Sequence, residues 1–191
     1  MRLAAPRWLA AVEATRAEID GPLLGDDVVP DPDVVMDRAF TLAATPEEVW
    51  PWLVQLGKQR AGWYLPRRVE RILPRTRRAT HTVESRWQDL KPGDVIPDYG
   101  GAHETFEAVT VDPPRGLVYR SRRGRTDVSW AIVLTAPGPR QTRVQLRLRL
   151  APVRRPWLAH TAGEALDVLT IAGMAAGLRE RLAARGAGGS T

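Results

Sequence analysis

Between residues 143 and 150 the chain alternates without a break: Val144, Leu146, Leu148 and Leu150 are apolar, and Arg143, Gln145, Arg147 and Arg149 are polar. Successive side chains of a strand point to opposite faces, so a period of two predicts a strand with one face in a core and the other in water. Trp130, Ile132 and Leu134 alternate in the same way upstream. Turn-forming clusters at 98–102, 112–116, 122–126 and 136–140 punctuate the strand-like stretches from Pro92 onward, which predicts an antiparallel meander. An earlier strand is expected over residues 34–43, where Val35, Phe40 and Leu42 supply β-favouring bulk.

Helices are marked by their caps. Thr45-Pro46-Glu47-Glu48 is a capping box with proline at the first helical position. Pro51 falls inside the helix that follows and, at a cost of roughly 3 kcal/mol, is expected to kink or split it before Gly57 ends it. Leu65, Val69, Ile72 and Leu73 mark a second short helix, with Arg67, Arg68, Glu70 and Arg71 expected outward and Pro74 closing it. A second capping box, Thr161-Ala162-Gly163-Glu164, opens a long helix expected to run to about Arg185. Its apolar stripe is Val168, Ile171, Ala175, Leu178 and Leu182, and beside it lie Ala172, Gly173, Ala176 and Gly177. Small side chains there permit close contact or leave a void across the sheet, and the void is the reading preferred.

The remainder divides into residues 1–30, a helical arm (Trp8, Val12, Thr15, Ile19) and an Asp- and Pro-rich linker; 31–185, the main domain; and 186–191, a disordered tail. No apolar run approaches the 18 or so residues of a membrane span, and the basic start is broken by Pro6, Arg7 and Glu13, so a cytoplasmic protein is expected. With no cysteine, thiolate chemistry and disulfides are excluded. The formal charge of +6 rests on 26 arginines and two lysines; with abundant Ala, Gly and Pro, this bias fits a GC-rich coding sequence as well as an anionic partner.

One strand, two short helices, a meander and one long helix are economically buried by a curved sheet gripping that helix. Five motifs stand in that order: Val49-Trp50-Pro51-Trp52-Leu53-Val54-Gln55-Leu56-Gly57, Arg60-Ala61-Gly62-Trp63-Tyr64, Asp89-Leu90-Lys91-Pro92-Gly93-Asp94, Val111-Asp112-Pro113-Pro114-Arg115 and Ser129-Trp130-Ala131. In these the chain resembles the SRPBCC (START-like) superfamily of polyketide cyclases, lipid-transfer domains and the birch-pollen allergen, over roughly residues 27 to 184. The resemblance implies an α+β helix-grip fold: a curved antiparallel sheet wrapped around a long C-terminal helix, with two short helices capping a deep apolar cavity. It implies no single activity, because such cavities host transport, sensing, cyclisation and dehydration alike.

On that architecture the ligand-binding candidates are Trp50, Trp63, Tyr64, Phe106, Tyr119, Trp130, Ile132, Leu146, Ile171, Ala175 and Leu178, with core packing the commoner role for any single tryptophan. His103, Tyr64 and Asp98 are the catalytic candidates, with Tyr99 beside them at a cavity mouth; a solvated loop is their bland alternative. Arg120 is expected to point outward. His81, His103 and His160 show no metal-ligand spacing, and neither a metal nor another cofactor is expected. No G-x-S-x-G elbow, Walker loop or G-x-G-x-x-G is present, which removes serine-hydrolase, P-loop and Rossmann readings.

The leading expectation is a protein, monomeric or homodimeric, that binds a hydrophobic or aromatic small molecule such as a polyketide or lipid. A cyclase- or dehydratase-like enzyme is the alternative. A nucleic-acid or anionic-surface binder using the basic run from Arg60 to Arg78 ranks third.

Overall fold

The computed structural model describes residues 11–99, 101, 103–154 and 163–188. Trp8, His160 and Thr161 lie outside them. The described elements run α1 (Arg16–Asp20), β1 (Val34–Leu42), α2 (Pro46–Val54), α3 (Arg67–Ile72), β2 (Val95–Pro97), β3 (Thr105–Asp112), β4 (Gly116–Arg123), β5 (Thr126–Gly138), β6 (Gln141–Ala151) and α4 (Glu164–Gly188). Six strands form one antiparallel sheet in the order β1-β6-β5-β4-β3-β2. Register shifts between Ala108 and Thr110 and between Thr135 and Gly138 are irregularities of the kind that bend a sheet. The curved sheet grips α4 across β1, giving the α+β helix-grip fold. The alternation read from the sequence is realised in the register: Met36, Leu148 and Trp130 stand side by side, as do Leu146 and Ile132, then Phe40, Val144 and Leu134.

Helix α2 starts as its capping box predicts, with Glu48 N–H donating to Thr45 Oγ1 (3.4 Å) and Thr45 N–H donating to the Glu48 carboxylate (2.8 Å). It does not split at Pro51 but continues as one element of nine residues. Val49, Trp52, Leu53 and Val54 on its inner side are buried, and at roughly 1.5–3 kcal/mol for each buried apolar side chain this outweighs the single lost backbone bond.

Helix α3 keeps Arg67, Arg68 and Arg71 outward as expected but turns Glu70 inward and Ile72 outward. Ile72 is 83% exposed, while Glu70 is buried and receives Arg181 Nη2 of α4 at 2.7 Å. Arg181 also donates to the carbonyls of Thr80, Leu65 and Gly177 and stacks over the Tyr64 ring at 4.7 Å. A buried carboxylate paired with a buried guanidinium in this way draws the helix inward by its polar residue.

The small residues of α4 do not leave a void either. A Cβ on Gly177 would stand 2.7 Å from Leu65 N and from Tyr64 C, so glycine here lets the segment after α2 lie directly on the helix backbone.

The outer face of β6 is covered rather than wet. Arg147, 3% exposed, donates to Asp37 and Asp26 and to the carbonyls of Glu18, Ile19 and Gly21. Arg143 pairs with Glu18, and Arg149 donates to the Val29 and Pro30 carbonyls. Three in-phase arginines therefore strap residues 13–30 across the convex side of the sheet. Gly25, at φ +88°, is packed against Val118 there.

Candidate functional site

Where β3, β4, β5 and β6 diverge from the N-terminal part of α4, the core opens into a cavity of about 630 Å³, within the range of small-molecule sites. Its inner wall is aromatic because in-phase residues of adjacent strands meet there: Tyr119 pairs with Trp130 across β4 and β5, and Phe106 lies on the same face of β3. Trp130 is the hub. Its ring lies 5.8 Å from Tyr119 and 6.0 Å from Trp63, both stacked at 27°, and 6.0 Å from Phe106. Trp63 is held by donating its indole N–H to the Thr170 carbonyl of α4 (3.2 Å). Met36, Leu148 and Leu150 supply an aliphatic side, Ile171 and Leu166 the helix side, and the exposed Tyr99 stands at the rim.

Polar groups on this wall are few and largely paired. Arg123 is bound to Asp98 and its guanidinium lies over the Phe106 ring at 5.3 Å. Asp167 of α4 pairs with Arg38 of β1 at 3.0 Å. Lys58 Nζ donates to the carbonyls of Asp98 (3.1 Å) and Gly101 (3.3 Å), pinning the turn after β2. The Tyr119 hydroxyl has no hydrogen-bond partner among the described residues, and burial, opposed in part by the charge of Arg60, pushes its pKa up, so it stays protonated.

Of the residues named from sequence, Trp63, Phe106, Tyr119, Trp130, Ile171 and Asp98 stand on the cavity wall. Ile132, Leu146, Ala175 and Leu178 do not; they are buried where sheet and helix are already in contact, deeper along the same faces. Trp50 packs against the core away from the wall. Tyr64 is sealed in the interior, its hydroxyl donating to the Trp52 carbonyl (2.8 Å) and accepting from Gln55 (3.0 Å), with burial raising its pKa. His103 is exposed in the turn before β3 and does not line the cavity. Arg120 points outward to Glu107 of β3 at 3.0 Å, as expected. His81 lies 2.8 Å from the Glu70 carboxylate, and no cluster of potential metal ligands occurs among the described residues.

In the basic run, Arg60 is half-buried and donates to the Val54 and Trp87 carbonyls, whereas Arg67, Arg68, Arg71, Arg75, Arg77 and Arg78 are exposed. No helix among the described residues is long and apolar enough to cross a membrane.

Sequence reasoning missed Lys58, Arg123, Asp167, Leu148 and Leu150 as wall residues. The two leucines were in phase with Leu146, and Lys58 is one of only two lysines in the chain; nothing local distinguishes the other two.

This combination defines a helix-grip protein with an aromatic internal cavity, and solved structures share the fold. DynU16, a protein in the dynemicin biosynthetic locus, superposes with a TM-score of 0.51 at 16% identity over 79% of this chain, which spans 48% of DynU16. A protein from Rhodobacter sphaeroides gives a TM-score of 0.51 at 18% identity, covering 81% of this chain and 95% of the other. CalU16 from Micromonospora echinospora is similar at 18% identity and a TM-score of 0.45, over 80% of this chain and 86% of its own. No protein-family model matches the sequence, and no curated protein sequence matches it.

Proposed function

We propose that this chain is a START-like binding protein that holds a flat, largely apolar small molecule in the cavity around Trp130. The observation that carries this reading is the continuous aromatic wall of Trp63, Trp130, Tyr119 and Phe106 bounding about 630 Å³ of space. Stacked rings present π-faces and edges to a planar guest, and each buried ring contributes apolar area without needing a ligand hydrogen bond.

Binding is favoured over cyclase-like catalysis because the catalytic candidates do not converge. Tyr64 is enclosed by its own partners, Asp98 is neutralised by Arg123, and His103 is off the wall. An acid–base pair needs both groups within hydrogen-bond reach of the guest.

Mass spectrometry of small molecules released from purified, denatured protein tests the reading. A co-purifying planar aromatic, returned unchanged after incubation and raising the melting temperature when added back, is the expected result. Conversion of that molecule to a product would replace the binder with an enzyme.

A further inference from the structure

We infer that the guest carries an anionic group, a carboxylate or an acidic enol or phenol, and that Lys58 receives it. The inference rests on the cavity being a ligand site and narrows the class of ligand. The other charged side chains of the wall are in ion pairs: Arg123 with Asp98, and Asp167 with Arg38, which lies behind the wall on β1. Lys58 is the remainder. Among the described residues no carboxylate lies within ion-pair distance of its ammonium, whose recorded partners are two carbonyl oxygens, those of Asp98 and Gly101. An ammonium has three donors, so one is left over, and two neutral carbonyls orient the group without cancelling its charge.

This cation belongs to the wall of the same space as Trp63, Phe106, Tyr119 and Trp130. Lys58 is half-buried with no carboxylate of its own, and an anion brought by the guest would pair its charge through a charge-assisted hydrogen bond. Tyr119, whose hydroxyl has no hydrogen-bond partner among the described residues, is a residue of the same wall. A planar guest with an acidic oxygen thus finds rings for its body and a donor for its charge.

The test compares 2-naphthoate with 2-naphthamide, two naphthalenes of nearly equal shape that differ in charge, each titrated calorimetrically at pH 7.5 into wild type, Lys58→Met and Lys58→Arg. Wild type is expected to prefer the carboxylate about tenfold, the lower end of what a hydrogen bond to a charged group supplies. Lys58→Met should bring the ratio to about one, and Lys58→Arg should keep it. If Lys58→Met does not fold, Lys58→Gln replaces it, and the wild-type ratio decides alone if neither folds. A wild-type ratio near one, or a preference that persists without the lysine, overturns the assignment while leaving the cavity reading intact. If neither naphthalene binds, the cavity reading falls with it.

Discussion

Two glycines one turn apart on α4 separate close packing from mere smallness. At Gly177 an added Cβ would meet Leu65 N and Tyr64 C at 2.7 Å and Leu65 C at 2.8 Å, all main-chain atoms. At Gly173 the contact is Leu65 Cδ2 at 2.7 Å, the end of a side chain that can rotate. In a helix interior, Gly→Ala gains about 1 kcal/mol of propensity. Gly173→Ala should therefore be neutral or slightly stabilising. At Gly177 the neighbouring segment must retreat by several tenths of an ångström, yet it is fixed at the Tyr64 hydroxyl, at Leu65 O by Arg181 and at Leu65 N by Glu70. Overpacking typically costs 1–3 kcal/mol, and the backbone contact places this site at the upper end, so Gly177→Ala should lose about 2 kcal/mol net. Urea denaturation of both variants, at unchanged slope, measures the difference. Equal stability of the two would refute the view that Gly177 exists for contact between helix and segment.

Three further outcomes follow from the convex-face strap and the aromatic wall. Arg147→Met leaves the Asp37 carboxylate, 6% exposed, without its main partner, so a loss of about 3–5 kcal/mol is expected in denaturant melts; adding Asp37→Asn should recover part of it, and a loss below about 1 kcal/mol would contradict the buried pairing. The Arg143 guanidinium holds the Glu18 carboxyl down to about 2 from an ordinary 4.5, so its contribution is present above pH 4.5 and lost as pH falls through 2; acid titration of stability should show a shallower fall for Glu18→Gln than for wild type. Trp130→Ala, which removes the hub of the ring cluster, should weaken any planar aromatic guest about tenfold by calorimetry, and undiminished affinity would exclude that wall as the contact.

What could be read from sequence was what is periodic or local. The alternation over Val144, Leu146, Leu148 and Leu150 identifies a face because strand geometry fixes it, and the Thr45 box locates a helix start because its partners lie three residues apart. Contacts between distant residues were illegible. Glu70 looks like an outward charge until Arg181, 111 residues on, comes to meet it, and Arg147 looks solvent-facing until residues 18–26 fold over it. Periodicity also gives a face without a depth: Trp130 and Ile132 share one, yet only Trp130 borders the cavity, and Ile171 borders it while Ala175, one turn on, is packed. Where the sheet leaves the helix depends on the curvature of six strands together.

The space around Trp130 is proposed to receive a planar apolar guest. Calorimetric titration of the wild-type protein with N-phenyl-1-naphthylamine, a neutral probe that needs only the rings, tests it most directly. Saturable binding at one molecule per chain, accompanied by a melting temperature that rises with probe concentration, is the predicted result. Heat that never saturates, with no change in melting temperature up to the solubility limit of the probe, would contradict it.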